Sequence, residues 1–232
     1  MTGYLETHYK ASEAGVKDYP QLLCDHINRE FFASLGPLHG KRLLDIGSGK
    51  GNHLLGFSRA GIQVTGVDKR SECVSVSKDL TIVQCDIESE PLPFPDETFD
   101  FVYSKSVIEH VQNTDAFLAQ SFRVLKRPGM AVVMTPDWES QYKHFWDDHT
   151  HVRPFTRKSL QNALALNGFT NVDCRFFYQL PFLWKYPAFK PLLTPVTWLP
   201  DSFKWKDARQ SEHRKIVRFA KEKMLLAVGY KL

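Results

Sequence analysis

The stretch that decides the reading is Leu43-Leu44-Asp45-Ile46-Gly47-Ser48-Gly49-Lys50-Gly51, followed by NHLLGFSRAG over 52–61. An apolar run of strand length enters a glycine-rich turn and leaves as a helix. Glycine lets the backbone turn tightly and approach a ligand where a Cβ would collide. The spacing implies a nucleotide-like ligand. A phosphate-binding loop needs GxxxxGK and then Ser or Thr, yet Gly51 follows Lys50 and Leu44 stands where the first glycine belongs. A dinucleotide turn needs GxGxxG, and Asn52 takes the place of the last glycine. Asp45, an acid inside the strand end, is a poor neighbour for a pyrophosphate. A ligand with a cationic or amino-acid end suits it better.

Outward from this turn, apolar or β-branched runs recur at 62–67, 81–85, 99–103 and 130–135. Helical patterns lie between several of them, most clearly 114–126, which Pro128-Gly129 closes. Only about three helical turns fit between 68 and 81. On the N-terminal side, Leu22, Leu23, Ile27, Phe31, Phe32 and Leu35 recur at helical spacing up to Gly36-Pro37. On the C-terminal side come a helix at 156–167 between Thr156 and Gly168, a strand at 170–179 and a last strand at 223–230. Strand and helix in alternation predict an α/β, doubly wound, seven-stranded and mostly parallel sheet. One domain spans 1–232: an N-terminal helical cover over 1–38, a core over 39–180, an aromatic and basic insertion over 181–215 and a closing strand over 216–232.

Composition excludes several classes. A formal charge of +4 on 232 residues is too small for an extended nucleic-acid surface. Cys24, Cys73, Cys85 and Cys174 show neither a zinc spacing nor a disulfide framework, so reduced thiols are expected. The N-terminus lacks an apolar leader and no window is long and apolar enough to span a bilayer. A cytoplasmic protein, monomer or homodimer, is the expectation. The basic excess is partly local. Residues 181–206 carry four Lys against one Asp, with five Pro and seven aromatics. That segment predicts an amphipathic cover, with three roles open: a lid over the acceptor, a patch for peripheral lipid contact, or a subunit interface.

Asp68 ends VTGVD, Asp86 ends VQCD, and PLPFPDETFDFVYSKSVIEHV occupies 91–111. With the glycine turn, this register resembles the class I S-adenosylmethionine-dependent methyltransferases, whose first motif is D/E-x-G-x-G-x-G. The 91–111 stretch is similar to the subfamily that includes the ubiquinone and menaquinone methylases. The resemblance covers roughly 40–178 and the last strand. It implies S-adenosyl-L-methionine as cofactor: Gly47, Gly49 and Gly51 along its methionine part with Asp45 nearby, Asp68 on the ribose, Asp86 and the Ile87 N–H at the adenine, and the Ser104 backbone near the amine. The alternatives are a nicotinamide-dependent Rossmann oxidoreductase and a binding protein without catalysis.

The acceptor is expected to be a small molecule bearing an oxygen, such as a sugar, an anionic metabolite or a lipid-linked intermediate. Such an oxygen needs somewhere to leave its proton. His110, after Glu109 at the end of the fourth strand, is one candidate, the other reading being a cap on the next helix. His149 and His151 in WDDHTHVRPF are others, with Arg153 on the same side to grip an anion; the alternative is a knot that anchors the loop. Tyr9 and Trp184 are candidate substrate contacts. Some quinone methylases of similar sequence hold a metal around this Glu-His pair. Ser106 replaces a further carboxylate of that pattern, so no metal is expected.

Overall fold

The computed structural model describes residues 18–76, 80–200, 203 and 212–232. Seven strands form one sheet: β1 (Arg42–Ile46), β2 (Gln63–Asp68), β3 (Thr81–Gln84), β4 (Phe99–Lys105), β5 (Leu125–Pro136), β6 (Thr170–Phe177) and β7 (Met224–Lys231). Their order is β3-β2-β1-β4-β5-β7-β6. The first five are parallel, and β7 runs antiparallel between β5 and β6. The expected mostly parallel, doubly wound sheet is therefore the observed one.

β4 shows why the sheet sits at the centre. Phe99 and Val102 pack into the core on one face, Phe101 and Tyr103 into the core on the other, and none is more than 1% exposed. A strand covered on both sides has no polar alternation, and each such side chain contributes roughly 1.5–3 kcal/mol by leaving water. At the amino edge, Asp100 accepts from Lys41 Nζ at 3.1 Å, Arg42 N–H at 2.9 Å and Lys126 Nζ at 2.8 Å, tying β1 and β5 to β4.

The helices are α1 (Tyr19–Glu30), α2 (Asn52–Ser58), α3 (Ser71–Val76), α4 (Thr114–Val124), α5 (Trp138–Gln141), α6 (Arg157–Leu166), α7 (Pro181–Lys185), α8 (Thr194–Thr197) and α9 (Glu212–Lys221). The expected N-terminal helix ends sooner than its apolar pattern: α1 stops at Glu30 and Phe32–Leu35 is a 3-10 turn. The 114–126 helix also stops early, because β5 starts at Leu125 and runs through Pro128-Gly129, with Leu125 paired to Phe99. Strand β6 ends at Phe177 rather than at 179. The closing segment expected from 216 is helical as far as Lys221 and becomes strand only at Met224. Helix α9 went unread because Ala220 and Phe219 face a small local core, formed with Leu180, Leu183 and Leu193, that the main sheet does not share.

Thr156 opens α6 as expected. Its hydroxyl accepts from Ser159 N–H at 3.2 Å and its own N–H donates to Ser159 Oγ at 2.9 Å, a reciprocal capping box. We expect Thr156→Ala to lower unfolding free energy by about 1 kcal/mol in urea titration without a change in slope.

Candidate active site

The turn after β1 is built onto β2. Gly47 and Ser48 N–H both donate to Val67 O, at 2.8 and 3.0 Å, and Gly49 N–H donates to Asp68 Oδ2 at 2.9 Å. Gly47 has φ +78°, and a Cβ there would collide with Val107 Cγ2, so a side chain at this position is strained in both backbone and packing. Gly49 and Gly51 also have positive φ. Asp45 lies at the carboxyl end of β1, paired with Gly66 of β2 and Tyr103 of β4. Ser104, on β4, is fully buried and donates from Oγ to Ile46 O at 3.0 Å. In the turn after β3, Asp86 Oδ1 accepts from Glu88 N–H at 3.1 Å. Ile87 lines a small hollow of about 200 Å³ with Pro91 and Gln120.

A second group forms where the loop after β5 returns to the end of β4. Glu109 lies in a 3-10 turn, Ile108–His110, and its carbonyl accepts from both Val152 N–H at 2.9 Å and Arg153 N–H at 3.0 Å. Phe155 bridges to Asp137 at the end of β5. These bonds carry His151 to His110, their ring centroids 4.7 Å apart. His110 Nδ1 is 3.2 Å from Thr150 O and 2.9 Å from Thr150 Oγ1, while that hydroxyl donates to Asp148 Oδ1 at 2.6 Å. A carbonyl only accepts, so Nδ1 carries the proton and Nε2 the lone pair. His151 Nδ1 donates in the same way to Phe145 O at 2.6 Å, leaving its Nε2 3.9 Å from Asp148 Oδ2.

The structure thus brings His110 and His151 together and leaves His149 and Arg153 exposed. The strand-like alternation expected to place the three on one side is absent, since 148–154 is irregular and held through its backbone. Nor does His110 cap the next helix: Asn113 does, accepting from Ala116 N–H at 3.0 Å. Trp184 stacks on His26 and contacts Tyr19 and Phe177, its Nε1 donating to Tyr178 O at 2.7 Å. Tyr9 lies outside the described residues.

A family model described as a methyltransferase domain matches residues 16–173. The chain belongs to that family. Among relatives, the methyltransferase is 29% identical over 170 residues to a ubiquinone biosynthesis O-methyltransferase of Bartonella quintana, covering 65% of this chain and 68% of that one. It is 36% identical over 115 residues to the Rhodopseudomonas palustris protein of the same name, covering 46% of this chain and 45% of that one. A solved S-adenosylmethionine-dependent methyltransferase from Archaeoglobus fulgidus superposes with a TM-score of 0.67 at 21% identity, over 97% of this chain and all of that one. The chain is an S-adenosyl-L-methionine-dependent methyltransferase in family, fold and cofactor class. These matches lend nothing to the oxidoreductase alternative.

The methyltransferase's own residues fit the cofactor. Asp45 is 2% exposed, and its Oδ2 lacks a hydrogen-bond partner among the described residues. An unpartnered buried carboxylate oxygen is costly unless a donor meets it, and a ligand ammonium is such a donor. Burial and the neighbouring Asp68 push the Asp45 carboxyl up from 3.8 to about 8, with Lys105 opposing. Glu109, 1% exposed and accepting from Thr135 Oγ1 at 2.9 Å, is pushed by burial from 4.5 to about 7. Lys105, ending β4, is lowered by burial against the pull of Glu109 and Asp45, and burial and Lys105 take His53 down to about 3. Thr150, Thr135, Lys105 and His53 were not singled out from sequence. The only signal was adjacency, since Lys105 follows Ser104 and His53 lies two after Gly51.

With its carboxyl raised from 3.8 to about 8, Asp45 holds a proton in the folded chain that the unfolded chain has lost. Stability therefore falls as pH rises through that window. Without cofactor, Asp45→Asn should melt above the wild type at pH 8 and level with it near pH 4, while binding S-adenosylhomocysteine more weakly. A melting curve at each pH checks the sign.

Proposed function

We propose that this methyltransferase methylates an oxygen of a small-molecule acceptor, a sugar, an anionic metabolite or a lipid-linked intermediate, with His110 as general base. The observation that carries the reading is the pair of imidazoles, each with its Nδ1–H fixed on a main-chain carbonyl and its Nε2 lone pair left over. Asp45, Gly47, Gly49, Gly51, Asp68, Asp86, Ile87 and the Ser104 backbone would hold S-adenosyl-L-methionine, which supplies a sulfonium methyl open to in-line displacement. Burial and His151 hold the His110 ring below its ordinary 6.5, so it is neutral at pH 7 and ready to take a proton at Nε2. Thr150 and Asp148 fix its orientation, and only one of two rings so close takes a charge readily.

The names of the relatives, O-methyltransferases of quinone biosynthesis, agree with an oxygen acceptor. A lipid-linked acceptor is supported by the insertion. Phe182, Tyr186 and Phe189 line an apolar hollow of about 430 Å³, and Leu192 and Trp198, 66% and 78% exposed, lie in the same segment. Arg153 is exposed and two residues after His151, and its guanidinium would suit an anionic group on the acceptor.

A second reading rests on the same residues. Glu109, His110 and His151 each offer a ligand atom within 4.8 Å of the others. Two imidazoles with pinned Nδ1–H groups and one carboxylate have the make-up of a three-ligand site with an open position. A bound divalent cation would take the Nε2 lone pairs and orient the acceptor oxygen in place of a base.

His110→Ala should lower kcat by about 10²- to 10⁴-fold, leaving S-adenosylhomocysteine affinity near the wild type, and His149→Ala should leave both nearly unchanged. In the wild type, kcat/KM should rise through an inflection below pH 6.5 and then level off. Full turnover of protein shown by elemental analysis to be metal-free favours the base; turnover restored only by added zinc, magnesium or manganese favours the cation. Binding of S-adenosylhomocysteine with no turnover on any acceptor class would support the non-catalytic alternative.

A further inference from the structure

Asp68 ends β2 with a carboxylate that is 5% exposed and already saturated. Its Oδ1 accepts from the Arg70 N–H at 3.0 Å and from Arg70 Nε at 3.0 Å. Its Oδ2 accepts from Gly49 N–H at 2.9 Å and from Arg70 Nη2 at 3.3 Å. A carboxylate has about four lone-pair positions. Two further hydroxyls cannot be accepted while all of these donors stay.

The donors differ in what they can do. Gly49 and Arg70 N–H belong to the backbone of the glycine turn and of the chain leaving β2. The Arg70 guanidinium is a side-chain group and is partly exposed, at 24%. Its withdrawal frees one position on Oδ1 and one on Oδ2. A vicinal diol needs that pair of acceptors, and a planar guanidinium fork presents two parallel donors at a similar spacing.

We infer that the Arg70 guanidinium is a latch that occupies the diol-binding positions of Asp68, so that the cofactor ribose binds by displacing it. The inference rests on the reading of Asp68 as the ribose acceptor. The latch keeps a buried carboxylate paired when no ligand is present, and lowers cofactor affinity by the strength of the contact that must be broken. It also selects for ligands that return two donors at once, since a single hydroxyl leaves one oxygen unpaired.

The test is isothermal titration of the full chain with S-adenosylhomocysteine, together with melting of the ligand-free protein. Arg70→Ala should bind roughly two- to ten-fold tighter, the factor expected for losing a competing hydrogen-bonded contact, while the free protein melts no higher than the wild type. In the Asp68→Asn background the same change should have no effect, because there is no carboxylate to latch. Weaker or unchanged binding in Arg70→Ala, with Asp68→Asn also weak, overturns the latch and leaves the ribose reading standing. Unchanged binding in Asp68→Asn overturns the ribose reading and the latch with it. If Arg70→Ala does not fold, Arg70→Gln, which keeps the stem and loses the charged fork, is read by the same criteria.

Discussion

The direction of chain progression reverses between β1 and β4. From β1 the order runs outward through β2 and β3 on one side and through β4 and β5 on the other, so the connections leaving β1 and β4 diverge and open a crevice at the carboxyl edge. Several of the groups described above lie at strand ends on that edge: Asp45 near the end of β1, Asp68 at the end of β2, Ser104 and Lys105 at the end of β4. The insertion reaches the same edge, since Phe177 of β6 pairs with Met224 of β7, which pairs with Pro136 at the end of β5.

The crevice gathers charge that burial makes expensive. Asp45, Asp68 and Glu109 are each at most 5% exposed, and they are managed in different ways. Asp68 is held below its ordinary range by Arg70 and two backbone donors, against the opposing pull of burial. Asp45 and Glu109 are held above theirs. Neighbouring carboxylates that cannot all ionise drift apart in pKa, and such separation is what assigns different roles to chemically identical groups. A ligand with a cationic end relieves the strain at Asp45 in a way that a pyrophosphate could not.

The segment between β6 and β7 stands out by composition as something the sheet does not need. It carries a small core of its own and packs Trp184 onto α1. That aromatic contact shows how a residue chosen from sequence as a substrate contact is occupied in packing. Aromatic side chains that bury most surface are also those that look functional in a list of residues.

The sequence by itself determined the layers of the fold and the class of cofactor. Strand runs bounded by glycine and helical patterns are local signals, and so is a glycine turn read with acids at or just beyond strand ends, because the place of each residue is set by its own strand. The acceptor half could not be read this way. His110 and His151 are forty-one positions apart in the chain, and long-range hydrogen bonds, among them those from Val152 and Arg153 to the Glu109 carbonyl, put them ring to ring. His149, two residues away, is turned to solvent by the same backbone path. The Arg70 fork on Asp68, and the tautomers of both histidines, likewise follow from which carbonyl or carboxylate lies opposite. Local pattern states which groups are available, and tertiary contact decides which of them face one another, because hydrogen-bond geometry depends on separations in space of a few ångströms and not on separation along the chain.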